Sequence, residues 1–194
     1  MKEYGDEQFI EILRESQEEA RNKDIQKGSV FIGDQEFIFQ EREIFQNQMW
    51  IWLPDNFTLL SKELAKMKYP NENRPDLIYS NSETTVNICF SHRWEKLAAG
   101  QEREVCDSIG QVIVSLYPGS SIIEKGTVLL REMEVAWMDF ITPAIDAKIY
   151  NLMFFMRLKG RILMGNCNCL AQDQEDWKDF FLQMFATIRT AERV

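Results

Sequence analysis

The amino-acid sequence predicts an α+β domain, an antiparallel β-sheet with helices packed on it. Two observations in the last third of the chain carry this. Apolar residues fall in strand-like runs over 127–140, 150–158 and 161–170, which predicts three successive strands. The period then lengthens: Trp177, Phe180, Phe181, Met184, Phe185 and Ile188 lie at i, i+3, i+4, i+7, i+8 and i+11, the stripe of one helix face. A meander closed by such a helix is a folding unit, because the stripe and a sheet face bury each other.

Composition sets the bounds. A chain of 194 residues suits one domain, and 45% apolar with 12% aromatic content supplies a core without disulfides or metal. The net charge of −9 repels phosphate, which argues against nucleic acid and anionic membranes as partners. The N-terminus carries no apolar run of a secretory signal, and no stretch approaches the roughly 18 apolar residues that cross a bilayer. The expectation is a cytoplasmic protein. Cys89, Cys106, Cys167 and Cys169 then read as reduced core thiols. Cys167 and Cys169 share a strand face with Cα atoms about 6.6 Å apart, at the outer limit for a bridge.

In chain order, residues 6–26 predict an acidic helix that Gly28 ends, so 1–28 is an N-terminal element and 29–194 a single domain. Phe9, Ile10, Ile12, Leu13 and Ala20 make its narrow apolar stripe, with Glu7, Glu11, Glu15, Glu18 and Glu19 opposite. So short a stripe predicts weak docking, or packing against another copy of the chain. Strands follow at 29–32 and 36–43 around the turn pair Gly33-Asp34. Met49-Trp50-Ile51-Trp52-Leu53 is apolar on both faces, which means a covered central strand or an exposed sticky one. Residues 58–67 predict a short helix with Leu59, Leu60 and Leu64 inward and Lys62, Lys66 and Lys68 outward. A turn-rich loop to Pro75 leads to a hairpin of 76–80 and 84–92, with Val86, Ile88 and Phe90 on one face. Over 100–117 the pattern is a long helix burying Val105, Ile109, Val112, Ile113 and Leu116, with Glu102, Arg103, Glu104 and Gln111 outside; Pro118-Gly119 stops it. A short strand at 122–124 precedes the meander, whose last two strands join at Lys159-Gly160.

This order of elements resembles the PsbP-like fold, shared by the extrinsic photosystem II protein, a Ran-binding nuclear import factor and bacterial DcrB-type proteins. The resemblance rests on strands, then Leu53-Pro54-Asp55-Asn56-Phe57, a lysine-rich turn of helix, a Tyr69-Pro70 loop, a hairpin, a long helix, a three-strand meander and an aromatic helix. It covers roughly residues 29–190. It implies an antiparallel sheet of six or more strands with packed helices, and members that bind other proteins rather than catalyse. Its bacterial members are mostly exported, whereas this sequence shows no signal or lipoprotein cysteine. The family supplies no motif that assigns a functional residue here, and a shared fold does not fix function.

No set of residues converges on chemistry. His92, the single histidine, ends a predicted strand, and Cys89 lies on the opposite face, so a nucleophile–base pair is not formed; an exposed strand-end residue is the expectation. A zinc site would need Cys167, Cys169 and distant carboxylates, and Asp173-Gln174-Glu175-Asp176 lacks calcium-loop spacing. That acidic run suits the N-terminus of the final helix, capping free N–H groups. Glu132 and Glu134 alternate along one predicted strand face, and paired carboxylates serve glycoside cleavage. A solvated or protected strand face is the plainer reading. No glycine-rich phosphate loop precedes a helix.

The positive hint is excess apolar surface: Trp50, Trp52, Trp94, Trp137, Met138 and the run Met153-Phe154-Phe155-Met156 exceed what one face of a small sheet needs. Either helices sandwich the sheet, or one face is an interaction surface. The candidate surface comprises Trp50, Trp52 and Phe155 with the basic hairpin tip Arg157, Lys159 and Arg161. The functional expectation is a non-enzymatic, cytoplasmic protein-interaction module with a protein partner or homodimer and no cofactor. The alternatives are a small-molecule carrier with an apolar pocket between sheet and helix, and a hydrolase using Glu132 and Glu134.

Overall fold

The structure, a computed structural model, describes residues 22–191. The N-terminal helix lies outside the described residues as far as residue 21; its expected tail, 22–26, is an extended segment and a turn rather than a helix.

Strands β1 (Val30–Ile32) and β2 (Gln35–Phe37) form a hairpin over Gly33-Asp34. Strands β3 (Phe39–Ile44) and β4 (Met49–Pro54) belong to a three-stranded sheet completed by the last strand, β12 (Arg189–Thr190), in the order β12-β4-β3. The remaining strands build the main sheet: β5 (Thr58–Leu59), β6 (Leu77–Ser80), β7 (Asn87–Lys96), β8 (Ser121–Leu130), β9 (Met133–Pro143), β10 (Lys148–Leu158) and β11 (Arg161–Leu170). Its spatial order is β5-β6-β7-β11-β10-β9-β8, and each neighbouring pair is antiparallel. Among the described residues three α-helices accompany the sheets: α1 (Lys62–Lys68), α2 (Glu102–Leu116) and α3 (Gln174–Ala186).

Both faces of the main sheet are covered, as the apolar run Met153–Met156 requires. On one face α2 packs, through Cys106, over Ala136, Met138, Phe140 and Phe155. On the other, α3 and the three-stranded sheet enclose the larger core, in which Ile51, Leu53, Phe154, Phe181 and Met184 lose all contact with solvent. The α3 stripe read from the sequence is buried throughout, Trp177 to Ile188.

Four expectations are corrected. Residues 127–140 are not one strand: Arg131 and Glu132 both take positive φ, 48° and 72°, the pattern of a tight two-residue hairpin turn between β8 and β9. Residues 58–67 split into β5 and α1, and α1 buries no residue; Leu59 and Leu64 face solvent. Helix α2 is rotated from its apolar stripe, so that Glu102, Cys106 and Gly110 are buried while Val112 and Leu116 are exposed. Small residues decide this, because a Cβ on Gly110 would stand 3.0 Å from Ile122 Cδ1, so the helix approaches most closely along its Cys106–Gly110 line. Finally, β7 runs on to Lys96, which places His92 in mid-strand, half-buried, its Nε2 3.0 Å from the Leu158 carbonyl oxygen.

Candidate interaction surfaces

The register of the main sheet aligns one transverse row on the α3 face: Gly126 opposite Trp137, Trp137 opposite Phe154, Phe154 opposite Gly165, and Gly165 opposite Phe90. The glycines give room to the rings beside them. A Cβ on Gly165 would fall 2.0 Å from Phe154 Cε1, and one on Gly126 would fall 3.1 Å from Trp137 Nε1. Phe185 meets the Phe154 ring edge-on at 4.5 Å. Beside these rings an apolar cleft of about 230 Å³ opens, walled by Val128, Leu130 and Trp137 from the sheet and by Leu182, Phe185 and Ala186 from α3.

The outer edge of β8 borders this cleft. β8 ends the strand order of the main sheet, so its outer backbone groups lack a strand partner among the described residues. The other sheet ends are short or charged: β5 and β12 have two residues each, and β3 carries Glu41-Arg42-Glu43. The first half of β8 is guarded too, by a register shift between Ile122 and Glu124 and by the charges of Glu124 and Lys125. The second half, Gly126-Thr127-Val128-Leu129-Leu130, has no such guard, and Val128 and Leu129 are 52% and 72% exposed.

Several buried polar groups pair inside the fold. Asp139, wholly buried, accepts from the Tyr150 hydroxyl at 3.0 Å and from Lys178 Nζ at 2.8 Å. That carboxylate holds the Lys178 ammonium above the ordinary lysine range, while burial, then the charge of Asp139, pushes the Tyr150 phenol up. On the α2 face Ser80, Asn87, Asn168 and Asn151 stand opposite one another across β6, β7, β11 and β10. Ser80 Oγ donates to Asn87 Oδ1 at 2.9 Å and Asn87 Nδ2 to Asn168 Oδ1 at 2.8 Å. All four cysteines are free and buried. Burial pushes Cys89 and Cys169 up to about 12 and Cys106 up to about 11, so these thiols stay protonated at neutral pH and are poor nucleophiles.

Two polar clefts adjoin the start of α3. One, of about 480 Å³, is lined by Asp34, Glu175, Asp176 and Asp179 together with Asn22, Lys23 and Gln183; the other, of about 260 Å³, shares Asp34 and Asp176 and adds Glu83 and Asp173. No cluster of three or more His, Cys, Asp or Glu among the described residues is placed to hold a metal ion. Asp173 occupies the N-cap position of α3 without a side-chain capping bond, so the acidic run acts there through Glu175 and Asp176 in the first turn.

The residues singled out from the sequence do not form one patch. Trp50 and Trp52 lie half-buried on β4, and the Arg189 guanidinium stacks 4.3 Å above the Trp50 ring while bonding Glu41. Phe155 is removed from any surface, since it is fully buried beneath α2. Arg157, Lys159 and Arg161 do share the β10–β11 hairpin tip, where Arg161 donates to the Arg93 carbonyl oxygen at 2.7 Å and stacks on Trp94. Glu132 sits in a turn and Glu134 on β9, so they are not adjacent carboxylates on one strand face. The space expected to hold a ligand between sheet and long helix is filled by Met138, Phe140 and Phe155, with Met153 and Met164 packed against them. The β8 edge was missed because 127–140 read as one strand. The signal available was the charged pair Arg131-Glu132 between Leu130 and Met133.

These layers define the class: an antiparallel α+β fold, helix-covered on both faces, of PsbP-like type. The chain is similar in structure to the cyanobacterial PsbP protein CyanoP from Synechocystis sp. PCC 6803, at a TM-score of 0.60 and 8% identity over 78% of this chain and 92% of that one. It is also similar to LpqN, involved in cell envelope biogenesis of Mycobacterium tuberculosis, at 0.50 and 12% over 86% of this chain and 96% of that one. No protein-family model and no curated protein sequence matches the chain.

Proposed function

We propose that this protein is a non-enzymatic docking module that takes a protein partner as an added strand along the outer edge of β8. The carrying observation is that 126–130 is an uncharged, solvent-facing stretch of edge strand in a fold whose other sheet ends are short or charged. Such an edge presents a row of N–H and C=O groups to an extended segment, while Val128 and Leu129 offer apolar side chains on alternate faces. Main-chain hydrogen bonds supply affinity in this mode, and the alternate side chains supply selectivity. The cytoplasmic setting read from the sequence belongs to the same proposal.

Leu129→Lys tests it, because a lysine on an edge strand discourages pairing and Leu129 carries no core contact to lose. The wild-type chain and the variant are used side by side as bait, the captured protein is identified by mass spectrometry, and the purified partner is titrated calorimetrically. The expected result is at least roughly tenfold weaker binding, a loss of about 1.4 kcal/mol, with an unchanged unfolding midpoint. Equal affinity for both baits would remove the β8 edge as the docking site, and a stoichiometric small ligand in native mass spectra would favour the carrier reading.

A further inference from the structure

We propose that the end of the main sheet where β7 meets the β10–β11 hairpin is a second docking surface, built around Trp94, for an acidic segment of a partner protein. It stands apart from strand addition at β8, because it uses exposed side chains rather than a backbone edge.

The surface originates in a β-bulge. Leu163 lies opposite His92 and Arg161 opposite Lys96, so three residues of β7, Arg93, Trp94 and Glu95, stand against Ile162 alone. Extra residues of this kind bend a strand and re-aim its side chains. Arg161 fixes the bulge. Its guanidinium donates to the Arg93 carbonyl oxygen at 2.7 Å and to the His92 carbonyl oxygen at 3.1 Å, and it stacks 4.3 Å from the centre of the Trp94 ring. Just beyond, the Leu97 N–H donates to the Gly160 carbonyl oxygen at 3.0 Å, which ties β7 to the hairpin turn. Trp94 is nonetheless 85% exposed.

Apolar side chains scattered over a surface are ordinary. A tryptophan held out in water by a bulge and a guanidinium is different, because its ordering is already met in the free protein and a partner gains its area without that cost. Tryptophan and arginine are also the residues enriched at the energetic centres of interfaces.

Charge selects the partner. Arg93, Lys96, Arg157, Lys159 and Arg161 gather at this end of the sheet, Arg157 from the α2 side. Against them stand two acids, Glu95, 3.8 Å from Arg93, and Asp76, which accepts from the His92 N–H at 2.8 Å. The patch is thus positive in a chain of net charge −9, and the rest of the molecule is more negative still. Charges act over about 8 Å at physiological ionic strength, so a short acidic segment meets the patch alone. A nucleic-acid duplex or an anionic bilayer would reach past it onto surface of its own sign. A second copy offering the same patch would set cations against cations.

The test is fluorescence anisotropy of a labelled synthetic peptide alternating glutamate and leucine, with a glutamine–leucine peptide as control and the full chain as receptor. Trp94→Ala, and Lys96→Gln combined with Arg157→Gln, are each expected to weaken binding of the glutamate peptide at least roughly tenfold with an unchanged unfolding midpoint. Leu129→Lys is expected to leave that binding unchanged, which separates this surface from the β8 edge. Binding lost in Leu129→Lys but kept in Trp94→Ala would assign the peptide to β8 and overturn the proposal. Equal binding of the glutamine peptide, or no binding of the glutamate peptide by the wild type, overturns it as well. Tighter Trp94-dependent binding of phosphatidylserine vesicles or duplex DNA would replace the protein partner with that anion. Salt-sensitive self-association in sedimentation, abolished by Trp94→Ala, would replace it with a second copy.

Discussion

Gly165 and Gly126 carry no side chain, yet they set the shape of the α3 face by letting Phe154 and Trp137 lie against the neighbouring strand. Phe154 cannot retreat, because Phe185 closes on it at 4.5 Å. Gly165→Ala is therefore expected to cost about 1–3 kcal/mol, or more, through overpacking, read as a lowered urea midpoint. In the sequence Gly165 reads only as a break in an apolar strand; its partner ring is set by pairing with β10, which periodicity does not report. Lys178 is a second residue whose role depends on distant neighbours. Removing it by Lys178→Met leaves Asp139 buried without its cation, a loss of about 3–5 kcal/mol at pH 7. Because the folded protein raises the Lys178 value above the ordinary 10.5, this stabilisation is complete below that pH and is lost as pH climbs through the folded value. The stability gap between wild type and Lys178→Met should stay constant from pH 7 to 9 and narrow above about 10.5 in urea titrations across that range.

Among the elements, those with one clean period were legible and those set by turn strain or close approach were not. α3 and the strands β10 and β11 emerged near their true limits, since Lys159-Gly160 is a recognisable turn and the aromatic stripe is unambiguous. The β8–β9 hairpin was hidden because Arg131 and Glu132 hold a left-handed conformation that side-chain-bearing residues rarely adopt. That strain is removable. Glu132→Gly is expected to stabilise the hairpin by about 0.5–1 kcal/mol, the relief of positive φ outweighing the added chain entropy, and to raise the melting temperature in calorimetry. The rotation of α2 escaped notice for the opposite reason: Cys106 and Gly110 add little to an apolar pattern, although they let the helix press closest to the sheet.

For the whole molecule, the sequence showed enough apolar surface for two covered faces but did not show which strand would stand outermost. That depends on β7 inserting beside β11 and leaving β8 at the far end, a pairing between segments about 75 residues apart. The candidate docking edge was thus illegible while most of its residues were in view. Polar links also join the layers, and Thr187 makes one: its Oγ1 accepts from the Trp52 N–H at 2.9 Å and donates to the Met184 carbonyl oxygen at 2.6 Å. Thr187→Val should leave that N–H unsatisfied, cost about 1–3 kcal/mol, and speed amide exchange along β4 before it affects β10. The aligned amides of Asn87, Asn168 and Asn151 have a different effect. Sliding any of these strands by two places would keep its greasy positions facing the same way but would set each carboxamide against a mismatched neighbour. They therefore work as a vernier for the central sheet, whereas β8, which contributes nothing to that scale, takes its alignment from its ladder with β9 and from helix ion pairs, Lys125 with Asp107 on α2 and Glu124 with Lys178 on α3.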